Sequence, residues 1–132
     1  MKNKLFTINK MFNQAMIVEN IESPLSAIPF HRDVEGIERL LAKDFPLHLA
    51  IHKVKDILSV PAPYTLPHVH EFDEINILIG EELVYEIQLG LKKYQLKGNH
   101  SIFIPAGTLH ASNVQTGNGY FIALWLHETI IQ

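Results

Sequence analysis

From Pro46 onward the sequence breaks into short apolar or alternating runs separated by proline, glycine and asparagine, and no other feature restricts the fold more. Runs of strand length fall at 47–54, 56–60, 74–79, 83–89, 91–96, 101–104, 109–114 and 119–127. Turn signals stand between most of them: Pro61-Ala-Pro63, Gly80-Glu-Glu, Gly90, Gly98-Asn99, Pro105-Ala-Gly107 and Gly117-Asn-Gly119. Many short strands at close spacing build a sandwich or a barrel, and nothing here alternates strand with helix. The expectation is an all-β chain, with residues 46–132 as a β-barrel and residues 1–45 as an arm that covers it. At 132 residues there is room for one domain. In the arm, residues 11–18 read equally as a strand or a helical turn. Residues 34–43 predict a short helix: Asp33 suits an N-cap, Val34, Ile37, Leu40 and Leu41 share a helical face, and Pro46 follows the end. Gly36 weakens that helix.

Hydrophobic residues make up 47% of the chain and charged ones 19%, enough for a packed core. The net charge of −3 and the lack of any basic tract argue against a nucleic-acid partner. No apolar run is long enough for a membrane span, and the lysine-bearing N-terminus lacks the apolar stretch of a signal peptide, so a cytoplasmic protein is expected. With no cysteine, a bound metal must be held by nitrogen and oxygen.

The segment with chemistry in it is Pro67-His68-Val69-His70-Glu71-Phe72-Asp73-Glu74. On an unbroken strand, residues two apart share a face, so His68, His70 and Glu74 point one way and Val69 the other. A fourth ligand from a neighbouring strand completes a metal site, and His110 is well placed, just past the Pro105-Ala-Gly107 turn. Imidazoles with one carboxylate suit a first-row divalent ion: Fe, Mn, Ni, Zn, Co or Cu. Octahedral coordination by four such ligands leaves two positions for water, substrate or dioxygen. An HxH pair alone is more often a pair of ordinary core or surface histidines; the matching carboxylate and His110 shift that balance toward a metal.

These residues resemble the two motifs of the cupin family. The first places an HxH pair three or four residues ahead of a glutamate and closes on a glycine, as His68, His70, Glu74 and Gly80 do here. The second places a PxG turn two residues ahead of a histidine, with an asparagine beyond, as Pro105, Gly107, His110 and Asn113 do. The resemblance covers residues 47–127 and departs from the pattern at four places. Ala62 replaces an opening glycine, Gly80 comes one residue early, Gly98 lies one residue too far before Pro105, and Asn113 lies one residue too near His110. The resemblance implies a double-stranded β-helix, or jelly-roll, with one divalent metal in its interior and a small-molecule ligand beside it. By parity Asn76 and Leu78 share a side with Glu74, and Ser112 and Val114 share one with His110. Asn76 and Ser112 are the candidate substrate contacts, with Leu78 and Val114 read as core.

Ile75, Ile77 and Ile79 fall on the opposite face of the same strand, which therefore needs cover on both sides. Either the arm or a second copy in a homodimer supplies it. Leu83, Tyr85, Ile87 and Leu89 are expected to face the barrel, where Tyr85 is the candidate catalytic proton handler or else a buried tyrosine bonded to backbone. His48 and His52 alternate with Leu47, Leu49 and Ile51; that histidine face is expected at the solvent, with an inward acid–base role as the alternative. His31, His100 and His127 are expected at the surface, and Glu71 and Asp73 in solvent. The expected activity is that of a metal-dependent enzyme on a small polar molecule, with a dioxygenase first and an isomerase or lyase also open. The alternative is a non-catalytic module that binds a sugar or organic acid.

Overall fold

A computed structural model describes residues 14–128 of the chain. Its elements are almost all strands: β1 (Asn20–Glu22), β2 (Ile37–Ala42), β3 (Leu47–Ile57), β4 (Glu74–Ile79), β5 (Val84–Leu89), β6 (Lys92–Lys97), β7 (His100–Ile104) and β8 (His110–Glu128), with a short 3-10 turn at Leu25–Ala27. All the strand pairings are antiparallel, in the order β1-β2-β3-β8-β4-β7, while β6-β5 joins the other end of β8. Residues 11–13 lie outside the described part, and residues 14–18 form neither strand nor helix.

The long strand β8 belongs to both sheets. Its first part, His110 to Thr116, pairs with β5, and its second part, from Gly119, pairs with β3 and β4. The Gly117-Asn-Gly119 sequence that reads as a turn is the bend between them. Gly117 has φ +101°, and a side chain on either glycine would run into the backbone carbonyls of Glu82 or Ile79 on the β4–β5 connection. Only glycine lets β8 pass this close while it changes sheets.

The expected helix over 34–43 is strand β2 instead. It pairs with β1 on one side and β3 on the other, with Arg39 opposite His52. Asp33 caps no helix; its carboxylate accepts hydrogen bonds from Ser26 N–H and Ser26 Oγ. Gly36, at φ +94°, turns the chain into the strand, and its carbonyl accepts the Lys55 N–H at 2.8 Å. The alternation of β2 is masked because an arginine occupies the inward position where an apolar residue is expected.

The inner faces of the two sheets enclose one core. Leu78, Leu83, Tyr85, Ile87, Ile104, Val114 and Phe121 are buried in it, as are Leu25 from the arm and Tyr64 from the loop before β4. Asn113 staples that loop to the barrel: its Oδ1 accepts the Tyr64 and Thr65 N–H groups at 2.8 and 2.9 Å, and its Nδ2 donates to Thr65 O at 3.0 Å. The described part of the arm extends the larger sheet edge-on through β1 and β2. The outer face of β4 and its neighbours stays partly open, with Ile79 45% and Phe103 55% exposed.

Candidate metal centre

Residues 68–73 do not continue β4. His68 makes an isolated antiparallel bridge to His110, and the chain bends at Glu71-Phe72 before β4 begins at Glu74. The simple parity of an unbroken strand therefore does not position these side chains; the bend does. It is held from beneath, where Gly107 N–H donates to His70 O at 2.9 Å and Ala106 N–H donates to Asp73 Oδ1 at 2.9 Å. Asp73 is thus buried rather than in solvent, because its carboxylate ties the 68–73 loop to the Pro105-Ala-Gly107 turn; Glu71 is exposed.

His68, His70 and His110 come together with one ring nitrogen each within 4.8 Å of the others, a group that can hold a metal ion. Each ring makes its Nδ1 contact to a backbone carbonyl: His68 to Leu66 O (2.7 Å), His70 to Phe72 O (3.2 Å) and His110 to Thr108 O (2.8 Å). A carbonyl only accepts, so each Nδ1 carries a proton, and each Nε2 is the nitrogen that would present a lone pair to an ion at the centre. This arrangement is how imidazole ligands are commonly oriented from outside the coordination sphere. Glu74 Oε1 stands 2.8 Å from His70 Nε2 and 3.4 Å from His110 Nε2. His110 Nε2 is buried and has no hydrogen-bond partner. A buried nitrogen lone pair facing two further imidazoles and a carboxylate fits a divalent cation, and the donor set has the chemistry such an ion requires.

The electrostatics favour an ionised carboxylate. Burial alone would raise the Glu74 pKa, but the close approach of the His110 and His70 rings and the Asn76 hydrogen bond outweigh it and lower it to about 2. Burial lowers the pKa of His68, which favours the neutral, ligating form. For His110 burial also acts downward, yet the contact with Glu74 raises it overall.

These groups open onto a cleft of about 410 Å³ including its mouth, of which only about 30 Å³ admits the centre of a water molecule. Five histidines line it, His31, His48, His52, His68 and His110, together with Glu74, Ser112, Thr65 and Trp125 among others. His48 and His52 are therefore inward and buried, not on the solvent face; the apolar Leu49 and Ile51 point outward instead. Burial pushes the His48 pKa down to about 4 and that of His52 to about 3, with the Arg39 charge acting in the same direction on both. Both rings are neutral at neutral pH. The His48 ring stacks on Trp125 with centroids 3.8 Å apart, and His52 Nδ1 lies 3.5 Å from Tyr64 Oη. His31 is also drawn in, since its backbone bridges Thr65 and its ring packs edge-on against His68.

Of the other singled-out residues, Ser112 lines the cleft. Asn76 is wholly buried and donates to Glu74 Oε2 at 2.6 Å, so it orients the carboxylate. Tyr85 is fully buried outside the cleft, and its hydroxyl meets Tyr64 Oη at 2.9 Å. His100 and His127 are exposed. The residues that sequence reasoning passed over are Arg39, Tyr64 and Trp125; the one available signal was the histidine alternation on β3.

No family model and no curated protein matches this sequence. Solved structures do match its fold. An RmlC-like cupin from Shewanella frigidimarina is 14% identical with a TM-score of 0.52, covering 82% of each chain. KdgF from Halomonas sp. is 22% identical with a TM-score of 0.55, covering 85% of this chain and 93% of that one. The iron(II) form of HppE is 13% identical with a TM-score of 0.60, covering 85% of this chain and 61% of that one. No helix among the described residues is long and apolar enough to cross a membrane. With its antiparallel sheets joined along β8 and these structural neighbours, the chain has the cupin fold.

Proposed function

We propose that this chain is a metal-dependent enzyme acting on a small polar molecule, with His68, His70, Glu74 and His110 as the ligands of one divalent ion. The observation that carries the proposal is the buried, unpartnered Nε2 of His110 among two like-oriented imidazoles and an ionised carboxylate. The donor set suits Fe, Mn, Ni, Zn, Co or Cu alike. Such an ion supplies Lewis acidity and, if redox-active, a site for dioxygen, which makes a dioxygenase the first reading among enzyme classes and an isomerase or lyase the next.

The chain's own residues do the rest. Asn76 Nδ2 holds Glu74 Oε2, which leaves Oε1 turned toward the imidazoles. Neutral His48 and His52 each keep one ring nitrogen free of these contacts to offer to a molecule in the cleft, the other meeting Arg39 or Tyr64. Tyr64 Oη lies 3.5 Å from His52 Nδ1 and 2.9 Å from Tyr85 Oη, so Tyr85 would contribute from outside the cleft by orienting the His52 ring through Tyr64. Ile28, Phe121, Ala123 and Trp125 supply apolar wall that excludes water. Polar groups poised opposite the ligands favour catalysis over a passive binding module.

The test is to load the protein with iron(II), manganese or zinc and screen small sugars, polyols and organic acids for turnover, following oxygen uptake in the iron form. Metal-dependent turnover that disappears in His110→Ala supports the enzyme. Tight binding of a small molecule with no turnover under any metal would replace it with the binding module.

A further inference from the structure

Arg39 is only 3% exposed, yet it has no carboxylate partner among the described residues. Its guanidinium donates to Ser23 Oγ at 2.8 Å and approaches His48 Nε2 at 3.4 Å, and its Nε has no hydrogen-bond partner among the described residues. A guanidinium does not shed its proton, so a positive charge is held in the buried part of the sheet without a carboxylate counter-ion among the described residues. Buried charges of this kind are normally paired. Glu22, Asp33 and Glu38 line an outer groove together with Arg39, yet none of the ion pairs among the described residues joins them to it. Among the described residues that line the cleft, Glu74 is the one carboxylate, and it is engaged by His70, His110 and Asn76.

His48 connects this charge to the cleft. An arginine only donates, so His48 Nε2 accepts from it and the ring proton sits on Nδ1. Nδ1 has no protein partner among the described residues, and the ring lines the cleft, stacked on Trp125. The cleft therefore has two polar ends: the imidazole-carboxylate cluster at one, which would attract an anion through the divalent ion it is proposed to hold, and a His48 N–H backed by a buried cation at the other. With so little room between them, an occupant has to be small, and a flat carboxylate has oxygens to offer both ends.

We infer that the cleft takes a small carboxylate anion, bound by His48 Nδ1–H and charge-balanced by Arg39. This deepens the proposed function, on which the metal end of the site rests, by naming the substrate class. Arg39 is a positioning residue here, since it acts through His48.

The experiment uses the full chain loaded with zinc, which is redox-silent, and titrates glycolate, the neutral isostere ethylene glycol, and sulfate by calorimetry, with zinc per chain measured separately. Glycolate is expected to bind at least about tenfold more tightly than ethylene glycol, the scale of a hydrogen bond between charged groups. Arg39→Gln is expected to weaken glycolate by at least about tenfold with zinc per chain unchanged, and Arg39→Lys to keep part of the affinity. Should Arg39→Gln fail to fold, His48→Phe keeps the ring on Trp125 while removing Nδ1–H, and the same loss is expected. Glycolate affinity unchanged in either soluble variant, or equal affinity for glycolate and ethylene glycol, overturns the inference. Sulfate binding more tightly than glycolate overturns the carboxylate assignment. Glycolate preference that survives without bound zinc would retain the anion site while removing the metal centre, so the two proposals fail separately.

Discussion

The cleft holds two sets of histidines that share a residue type and little else. At the loop end, His68, His70 and His110 are half-buried or buried, and each is tied through Nδ1 to a backbone carbonyl two residues away in sequence. At the β3 end, His48 and His52 make no such tie; their partners are an arginine, a tyrosine and aromatic faces. The first arrangement fixes the tautomer and aims a lone pair at a common centre, which is what a cation needs. The second suppresses protonation by burial and leaves a neutral ring lining the cleft. What surrounds an imidazole decides its role here, and the loop and the strand supply different surroundings.

The largest effect that can break this contrast is loss of metal. His70→Ala is expected to cut metal per chain, measured by elemental analysis, from near one to a small fraction, while His52→Ala retains it. Equal retention in both variants would erase the distinction between the two ends. Next in size is the staple beneath the loop end. Asn113→Ala strands the Tyr64 and Thr65 N–H groups and is expected to cost about 2–4 kcal/mol in urea unfolding.

The β3 end predicts a pH response. The folded pKa values of His48 and His52, about 4 and about 3, lie below the ordinary value of 6.5. Above pH 6.5 both states are neutral and neither ring affects stability. Below it the unfolded chain takes up protons that the folded chain refuses, so stability falls by about 1.4 kcal/mol per pH unit for each ring down toward the folded pKa. Denaturant titrations between pH 7 and 5 should show this slope, and His52→Gln should remove about half of it; an unchanged slope in the variant would contradict the buried neutral ring. The smallest expected effect is that of Tyr85→Phe, which removes one hydroxyl contact with Tyr64, about 1 kcal/mol by thermal or urea unfolding, with metal content unchanged.

Much of this architecture can be read from residues alone, because its demands are narrow. Residues 74–79 alternate under strict burial and appear as β4, and the ligand candidates stand out because few residue types bind a cation and their spacing is tight. The misread parts share a cause: a polar residue placed inward. Arg39 hides the alternation of β2, so Val34, Ile37, Leu40 and Leu41 mimic a helical face. On β3 the apolar Leu49 and Ile51 look like core, although they face outward, and His48 and His52 occupy the interior, where they line the cleft. Gly117-Asn-Gly119 has the composition of a turn, and only its close passage over the β4–β5 backbone shows that it bends one continuous strand. Asp73 is misplaced because its partner, the Ala106 N–H, lies 33 residues away.

The most direct measurement is an anomalous-difference map from crystals grown with zinc or manganese. One peak is predicted about 2.0–2.2 Å from the Nε2 atoms of His68, His70 and His110 and from a Glu74 oxygen. A map with no peak there, or with its strongest peak between His48 and His52, would contradict the account.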